Sequence, residues 1–265
     1  MRALYVSATG MKAQQINLDV VANNLANVNT CGFKRGRADF EDLIYQTLRP
    51  VGASATADTE VPTGIYLGHG ARPASTSKIF NQGSAVFTDT WSDIAIEGEG
   101  FFQVELPDGT IAYTRAGSFK TNSEGTLTTP NGNPVSPQIT IPPNAVHESI
   151  SVGQDGTITY RVGGAGAVAP ATAGQLQLAQ FVNPAGLEAI GSNLFVESAT
   201  SGPPTVGTPG QNGLGKTVGG TLEMSNVQVV DELVQMIIGQ RAYEINSKGI
   251  RVADEMLETA ANVKR

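Results

Sequence analysis

The chain has 265 residues, a formal charge of −7 and only 15% charged residues, beside 31 glycines and 14 prolines. Its length suits one large domain or two smaller ones, and this turn-rich composition is typical of β structure. The acidic balance argues against nucleic acid as a partner, because phosphate binding needs clustered Lys and Arg. With one cysteine, Cys31, and two distant histidines, His69 and His147, the chain can form no internal disulfide, and we expect no metal or cofactor.

No apolar run is long enough to span a bilayer, so we expect a protein that is not membrane-inserted. Residues 1–20 also lack the uninterrupted apolar core of a cleaved signal peptide. The sequence therefore predicts a cytoplasmic protein, unless the chain leaves the cell by a route that needs no such peptide.

The first 32 residues predict an amphipathic helix. Apolar residues seven positions apart form a heptad seam, broken by the polar Gln15. The large residues of this seam are Leu4, Met11, Leu18 and Leu25. Between residues 1 and 30 only Arg2, Lys12 and Asp19 carry charged side chains, which favours a helix covered on several sides.

A second long helix is predicted for the C-terminal segment, which contains no proline from Asn226 onward. Its seam residues are Leu233, Met236, Tyr243, Ile250 and Leu257. Ser225 or Asn226 is expected to cap the helix, and Gly239 and Gly249 would allow another helix to approach closely. A wholly helical segment of this length would extend roughly 60 Å, too long to lie on a small domain.

The middle of the chain predicts an all-β domain with repeated hairpins. Short β-prone runs flank four turn sequences, which are Pro107-Asp108-Gly109, Ser123-Glu124-Gly125, Asn131-Gly132 and Asp155-Gly156. Residues 162–174 and 201–220 are rich in Gly and Pro and are predicted as loops or linkers.

These segments predict an α+β fold in which long terminal helices form a coiled-coil core around an inserted β domain. The predicted parts are an N-terminal inner-core helix at 1–32, an extended connecting segment at 33–70, an outer β domain at 71–209, a return linker at 210–224 and a C-terminal inner-core helix at 225–265. The terminal seams can pair with each other and leave apolar surface for other subunits. An ordinary antiparallel helix pair packed on the β domain remains the alternative.

One motif points to a different class of protein. Gly210, Gly215, Lys216 and Thr217 match the nucleotide-binding pattern GxxxxGK[ST]. A working site needs a buried strand before the loop and a helix after it. Here prolines precede the motif and Gly219-Gly220 follows it, so we interpret the match as chance in a Gly-rich linker.

Other catalytic or metal-binding patterns are also weak. GxSxG, HExxH and paired-cysteine motifs are missing from the sequence. The turns at Asp108, Glu124 and Asp155 lack the repeated acidic ligands of a calcium loop. Asp93, Glu97 and Glu99 are interpreted as a solvated strand face or loop. We therefore predict no catalytic residues.

Two separated motifs closely resemble the flagellar rod and hook axial protein family. The N-terminal motif lies within residues 20–46 and includes Asn23, Asn24, Asn27, Asn29, Thr30, Gly32, Phe33 and Lys34. The C-terminal motif lies within residues 222–257 and includes Gln240, Arg241, Tyr243, Asn246, Ser247 and Lys248. Residues 98–119 are similar to the family's core β domain, and residues 40–76 to the extended loop of its distal rod members.

The resemblance implies a structural subunit of the distal rod rather than an enzyme. It implies export through the flagellar export apparatus, helical self-association into a straight hollow shaft that transmits torque, and a position in the basal body spanning the periplasm. The implied partners are further copies of the chain, the proximal rod and hook proteins, and the surrounding rings. A proximal rod or hook subunit is the nearest alternative.

The resemblance also implies roles for particular residues. The two helical seams would pack within or between subunits, and residues 47–70 would contact neighbouring subunits. The motif asparagines could satisfy backbone groups where the first helix ends before Gly32, although ordinary helix-end chemistry accounts for some of them. We expect the termini to be largely disordered before assembly, and we assign no role to Cys31.

Overall fold

A computed structural model describes residues 2–51, 54–56, 59–60, 62–146, 149–162 and 170–263. His147 lies outside the described residues, as does most of the first predicted linker. The chain has an α+β fold and divides into two compact units. Unit 1 comprises Met1–Ala26, Gly36–Lys78 and Gln228–Arg265, and unit 2 comprises Asn27–Arg35 and Ile79–Val227.

Two long helices in unit 1 pack against each other in opposite directions. They are α1, Arg2–Ala26, and α2, Val229–Val263. Contacts near the start of α1 involve the distal part of α2, and contacts near its end involve the start of α2. The 35 residues of α2 span about 53 Å. Among the described residues, neither helix is long and apolar enough to cross a bilayer.

The rest of unit 1 is a folded-back arm of short antiparallel strands. In chain order these are β1 Gly36–Asp42, β2 Gln46–Arg49, β3 Ser54–Thr56, β4 Thr59–Glu60, β5 Ile65–Leu67 and β6 Ala71–Lys78. Strand β1 pairs with β6, β2 with β5 and β3 with β4, so the pairs follow one another along a single long hairpin. Residues 71–78, which sequence analysis grouped with the β domain, thus pair with the connecting segment.

Unit 2 contains the remaining strands. They are β7 Ala85–Phe87, β8 Ile94–Glu97, β9 Phe101–Glu105, β10 Ile111–Thr114, β11 Lys120–Thr121, β12 Leu127–Thr128, β13 Val135–Ser136, β14 Ser151–Val152, β15 Thr157–Tyr160, β16 Ala171–Gln175, β17 Leu178–Gln180, β18 Glu188–Gly191, β19 Leu194–Val196, β20 Thr205–Gly207, β21 Lys216–Gly219 and β22 Thr221–Glu223. The largest sheet has the order β18-β19-β10-β9-β17-β20, with β13 also paired to β9.

Two apolar clusters form the core of unit 2. One surrounds Phe102 and Phe119, whose rings meet edge to face. The other surrounds Phe101 and includes Tyr113 and Phe181. Phe101 and Phe102 are neighbours on β9, so alternation along one strand directs them to different clusters.

The predicted hairpins are confirmed at three turns. Pro107-Asp108-Gly109 joins β9 to β10, the turn ending at Gly125 joins β11 to β12, and Asp155-Gly156 joins β14 to β15. The prediction of loops at 162–174 and 201–220 was wrong in part. Strand β16 begins at Ala171, and β20 and β21 form where backbone groups pair with β17 and β8.

The structure also excludes a nucleotide-binding geometry at the GxxxxGK[ST] match. Lys216 opens strand β21 and pairs with Glu97 of β8. The Thr217 hydroxyl donates a hydrogen bond to the carbonyl oxygen of Gly153 at 2.7 Å. Because a strand follows the loop, no helix N-terminus is presented to a phosphate.

The expected helix cap was also wrong. Helix α2 begins at Val229, and the amide of Glu232 donates to the carbonyl of Gln228. The Ser225 hydroxyl accepts a bond from the Val227 amide, before the helix starts. The Asn226 side chain has partners elsewhere in unit 2, described below.

Candidate assembly interface

Small residues form the contact between the two helices. A Cβ atom added to Gly239 would lie 3.0 Å from Cδ2 of Leu18. One added to Gly10 would lie 3.0 Å from Nδ2 of Asn246. The predicted close approach at Gly239 is therefore confirmed. Gly249 makes a similar approach, with 3.1 Å between its added Cβ and the Ser7 hydroxyl oxygen.

Large apolar side chains of α2 point away from this contact. We call one row of them the outer stripe, which consists of Val234, Ile238, Ile245, Val252 and Met256. Ile245 is 67% exposed and Met256 68%, so they bury little surface within the chain. Helix α2 therefore has Gly239, Asn246 and Gly249 against α1, whereas many of its large apolar residues are in solvent. Such a contiguous apolar surface marks a site of association.

The predicted seam residues lie partly in the helix contact and partly outside it. Half-buried members are Leu4, Met11, Leu18, Leu25, Met236 and Ile250. Leu233, Tyr243 and Leu257 are exposed by 43 or 44%. Periodicity identified an apolar side of each helix, but it missed the outer stripe. The packing of these seams between subunits stays a prediction.

The arm exposes a second apolar surface in unit 1. Ile44 is almost fully exposed, and other large side chains of β2, β5 and their flanks are also exposed. These are Tyr45, Leu48, Ile65, Tyr66 and Leu67. The predicted neighbour-contacting segment 47–70 overlaps this surface, although several of its residues lie outside the described ranges.

One motif asparagine ties together three elements of unit 1. The Asn24 amide donates to the Gly36 carbonyl at 2.9 Å and to Glu232 Oε2 at 3.2 Å. Its Oδ1 accepts from the Gly36 amide at 2.8 Å. Asn24 and Glu232 are both fully buried, so this side chain satisfies polar groups of α1, β1 and α2 where no water reaches.

Lys34 of the N-terminal motif belongs to a buried charge cluster in unit 2. Its Nζ lies 2.5 Å from Glu223 Oε1, and Arg115 Nη1 lies 3.3 Å from the other carboxylate oxygen. Lys34 also donates to the Asn81 carbonyl, and Arg115 donates to the Gly98 carbonyl. Burial lowers the pKa of Lys34 and of Arg115, and Glu223 opposes the shift in both.

Backbone contacts complete this cluster. The Gly32 amide donates to the Glu223 carbonyl at 2.8 Å, and the Gly83 amide donates to Glu223 Oε1 at 2.9 Å. Gly32 has φ of +69°, and an added Cβ would lie 2.4 Å from the Ala116 amide nitrogen. Only glycine fits this position, which explains its place beside Phe33 and Lys34.

Like Asn24, Asn226 bonds backbone groups of other segments, here near the end of unit 2. Its Oδ1 accepts from the Arg35 amide at 2.7 Å, and its Nδ2 donates to the carbonyls of Ile79 and Asn81. Asn24 thus bonds the backbone of β1 at Gly36, and not the helix-end groups that sequence analysis considered. Asn27 instead accepts from the Thr30 hydroxyl at 3.2 Å.

The remaining motif residues lie mainly on exposed helix surfaces. Asn23, Asn29, Gln240 and Lys248 are exposed, whereas Phe33 is buried and Ser247 half-buried. Arg241 pairs with Glu244 at 2.8 Å on the solvent side of α2. Sequence analysis missed Glu223 and Arg115. The available signal was a basic residue, Arg115, directly after an apolar β-prone run, and an acidic residue, Glu223, in a segment with few charges.

Of the three acidic residues considered for chemistry, Glu97 and Glu99 are exposed as interpreted, whereas the interpretation of Asp93 as solvated was wrong. Asp93 is buried and lies 3.8 Å from Lys120 Nζ, and Glu99 accepts a hydrogen bond from Gln180. Within the described residues, no group of three or more His, Cys, Asp or Glu side chains is placed to hold a metal ion. Cys31 is half-buried, and burial raises the pKa of its thiol.

Comparison with protein families gives three matches in chain order. Residues 4–34 match the model for flagella basal body rod proteins. Residues 95–160 match the flagellar hook protein FlgE/F/G D1 domain, and residues 218–263 match the C-terminal model of flagellar basal body rod FlgEFG proteins.

Full-length relatives carry one name. Flagellar basal-body rod protein FlgG of Borreliella burgdorferi is 50% identical over 265 residues, covering 100% of this chain and 99% of that protein. FlgG of Buchnera aphidicola subsp. Schizaphis graminum is 52% identical, covering 97% of each chain. Flagellar hook protein FlgE of Helicobacter mustelae is 41% identical but covers 50% of this chain and 29% of that protein.

A helix pair with glycines in its contact and an uncovered apolar stripe outside is typical of a structural subunit that associates with other chains. The chain belongs to the FlgG family of flagellar basal-body rod proteins.

Proposed function

We propose that this chain polymerises helically with itself into the distal rod, a rigid hollow shaft that transmits torque from the motor to the hook. The observation that carries the proposal is the outer stripe of α2. Apolar surface gains about 25 cal/mol for each Å² removed from water, and this stripe cannot be buried within its own chain. Other copies of the chain would bury the stripe.

In this proposal the terminal helices form a coiled-coil inner tube, with the segments 1–32 and 225–265 as its inner core. The seams described above pack within and between subunits, and the β domain at 71–209 faces outward. The segment 33–70 connects them and contacts neighbouring subunits, which contributes to the stiffness of the shaft. Its exposed apolar side chains are consistent with such contacts.

The proposed location is the basal body, where the rod spans the periplasm after export without a cleaved signal peptide. The flagellar export apparatus, the proximal rod and hook proteins, and the surrounding rings are the proposed partners. The relatives' names support a rod protein and do not specify these contacts. We further propose that the chain is not an enzyme.

A direct test changes the apolar stripe without touching the helix contact. Ile245→Asp places a charge on an exposed position of α2, so the monomer should keep its helix content and unfolding free energy. Rods should be missing from basal bodies of a host in which this variant replaces the deleted rod gene. Ile245→Leu keeps an apolar surface at the same position and should form rods. Normal rods with Ile245→Asp would contradict the proposal.

The alternatives have separate tests. A hook or proximal rod role predicts different defects in a null mutant, which electron microscopy of its basal bodies distinguishes. The distal rod role predicts truncated rods without hooks. For nucleotide binding, Lys216→Ala should assemble like the parent, and measurable ATP binding by the chain would overturn this account.

A further inference from the structure

The exposed side of α1 differs in character from the outer stripe of α2. Helix α1 meets α2 through Ser7, Gly10 and Leu18, and it meets the arm through Thr9 and Val20. The remaining side, which we call the outer face of α1, is exposed along its whole length. It consists of Ala8, Lys12, Gln15, Asp19, Ala22 and Ala26. Tyr5 is also exposed at the start of this face, but from Ala8 onward it has only alanine, one glutamine and two charges, so large side chains of another helix could lie close to it.

The outer stripe also contains charges at regular positions. Lys248 lies between Ile245 and Val252, and Glu255 lies next to Met256. Among the described residues, neither of these side chains enters an ion pair, nor do Lys12 and Asp19 on α1. Each surface therefore has a cation and an anion seven residues apart that lie outside the ion pairs, whereas the neighbouring Arg241 of α2 is paired with Glu244.

Symmetry fixes the relative direction of two copies. In a helical array every copy points the same way along the axis, and the contact is heterologous. Because α2 runs antiparallel to α1 within a chain, the α2 of one copy also runs antiparallel to the α1 of the next. Charges on facing helices must then match in reversed order.

In reversed order the two surfaces align at four successive positions, three of which are complementary. The order on α1 is Lys12, Gln15, Asp19 and Ala22. The order on α2, counted backward, is Glu255, Val252, Lys248 and Ile245. Both follow steps of three, four and three residues, which keep one side of a helix in line. Lys12 then faces Glu255, Asp19 faces Lys248, and Ala22 leaves room for Ile245.

We propose that the outer stripe of α2 docks on the outer face of α1 of a second copy in this register, with Lys12–Glu255 and Asp19–Lys248 as its ion pairs. The proposal rests on the proposed function and specifies its contact. Within one chain, Leu18 of α1 lies opposite Gly239 of α2. Docking in the new register places the neighbour about 11 residues, or roughly 16 Å, further along the helix axis.

The apolar contacts and the ion pairs of this docking have different effects. Apolar burial of Ile245 and Val252 supplies the attraction, whereas solvent-exposed ion pairs add little stability. Charges beside an apolar seam instead select one register over others, as in coiled coils. A rival register pairs Lys12 with Glu258 and Asp19 with Arg251. It places Gln15 opposite Glu255 and leaves the apolar stripe uncovered.

Charge exchange tests the pairing. Lys12→Glu and Glu255→Lys each place like charges together, and we expect either change to cause loss of rods from basal bodies. The double variant restores an opposite-charge pair and should restore rods. Circular dichroism should show unchanged helix content, because both positions are exposed. Normal rods in both single variants, or no recovery in the double variant, would overturn the proposal.

Disulfide trapping tests the register directly in a Cys31→Ser chain. Gln15→Cys with Val252→Cys should give a ladder of linked subunits in isolated rods under mild oxidation, and no link in the dilute monomer. Within one chain these positions are about 16 Å apart along the axis, too far for a disulfide. Gln15→Cys with Glu255→Cys reports the rival register.

Rods that give a ladder only with the rival pair, or with neither pair, would overturn the register and leave the proposed function intact. If the Cys31→Ser parent forms no rods in a host lacking its own rod gene, the proposed function itself fails and the register fails with it.

Discussion

At the residue scale, the carboxylate of Glu223 is shared by two cations, whereas a simple salt bridge contains one. Its carboxylate faces Lys34 and Arg115, and all three side chains are buried. Removing one member of a buried charge group leaves its partners desolvated without compensation, which costs more than the group contributes when intact. The cluster therefore holds the Gly32 turn beside β22 most firmly when it is complete.

We predict that Glu223→Gln lowers the unfolding free energy by about 3–5 kcal/mol, because two buried cations lose their counter-ion. Urea titration followed by circular dichroism measures the change. Glu244→Gln, at an exposed pair on α2, is the matched control and should change stability little. Equal effects of the two substitutions would contradict the assigned importance of burial.

A second prediction separates backbone strain from steric overlap at glycine. Gly32→Ala should destabilise the protein by more than Gly132→Ala. Both residues have positive φ, which costs other residues about 1–2 kcal/mol. An added Cβ meets the Ala116 backbone at Gly32 and nothing within 4 Å at Gly132. Chemical unfolding of both variants measures the difference, and equal losses would show that the clash is relieved at no cost.

The turn at Asp155 gives a prediction for pH. Its carboxylate accepts hydrogen bonds from the Thr157 hydroxyl at 2.8 Å and the Thr157 amide at 3.1 Å. These bonds hold the pKa of Asp155 below its ordinary value. The folded state therefore binds fewer protons than the unfolded state as pH falls below about 4, so this stabilisation is present above that range and is lost in acid.

Asp155→Asn should thus be less stable than the parent near neutral pH, with the gap closing as pH falls through the lowered pKa. Urea unfolding at a series of pH values measures the gap. Asp108 makes equivalent bonds to Thr110, which also hold its pKa low, so Asp108→Asn should show the same trend. A gap that widens in acid would contradict the assigned cause.

At the scale of elements, a substitution on the side of α2 that faces α1 should lower stability, whereas one on its exposed side should not. Gly239→Val puts a branched side chain against Leu18, where even a Cβ would lie 3.0 Å away. Overpacking of this kind costs about 1–3 kcal/mol, so isolated rods built from this variant should dissociate at a lower temperature. Thr259→Val, at an exposed position near the helix end, is the control and should leave this temperature unchanged.

Helix existence was predictable from heptad periodicity, and Gly239 and Gly249 indicated where another helix approaches, whereas the exposure of the large apolar residues was not predictable. A seven-residue repeat of large apolar residues usually marks the surface through which one helix packs on another. In α2 that contact uses Gly239, Asn246 and Gly249, which score poorly as core residues. The reason lies outside the single chain, because the large residues are available for other copies and glycine allows the helices to approach.

The β turns were predictable because Asp-Gly and Asn-Gly pairs favour their conformations locally. Strands β20 and β21 were not, because their sequence is rich in Gly and Pro and their pairing partners are distant along the chain. The Lys34–Glu223 contact was likewise not predictable from the sequence. Motif resemblance identified Lys34, but only the fold brings Glu223 and Arg115 to it.

At the scale of the whole molecule, the two units differ in how much they bury. Among the described residues of the two helices, Ala13 and Val21 are the only buried apolar side chains, whereas unit 2 has two apolar clusters. A thin core cannot offset the conformational entropy of ordering two long helices. This contrast supports our expectation that the termini order fully only on assembly.

Limited proteolysis of the purified monomer tests this expectation. Protease should remove the terminal helices first and leave a resistant core close to residues 27–227, with fragment masses read by mass spectrometry. The same segment produced alone should unfold cooperatively, because the Gly32–Glu223 backbone bond lies within it. Helices as resistant as the β core would contradict the prediction.

The outer stripe has a consequence for where growth stops. In the proposed assembly, a copy joined head to tail covers the stripe of one neighbour and presents its own stripe, so the end of the shaft has the same apolar surface whatever the number of subunits. The contact between copies is then the same at every length, so the contact itself cannot limit the number of subunits. The length of the finished shaft must then be set from outside, by the supply of subunits, by a physical barrier, or by a different protein whose helix covers the terminal stripe.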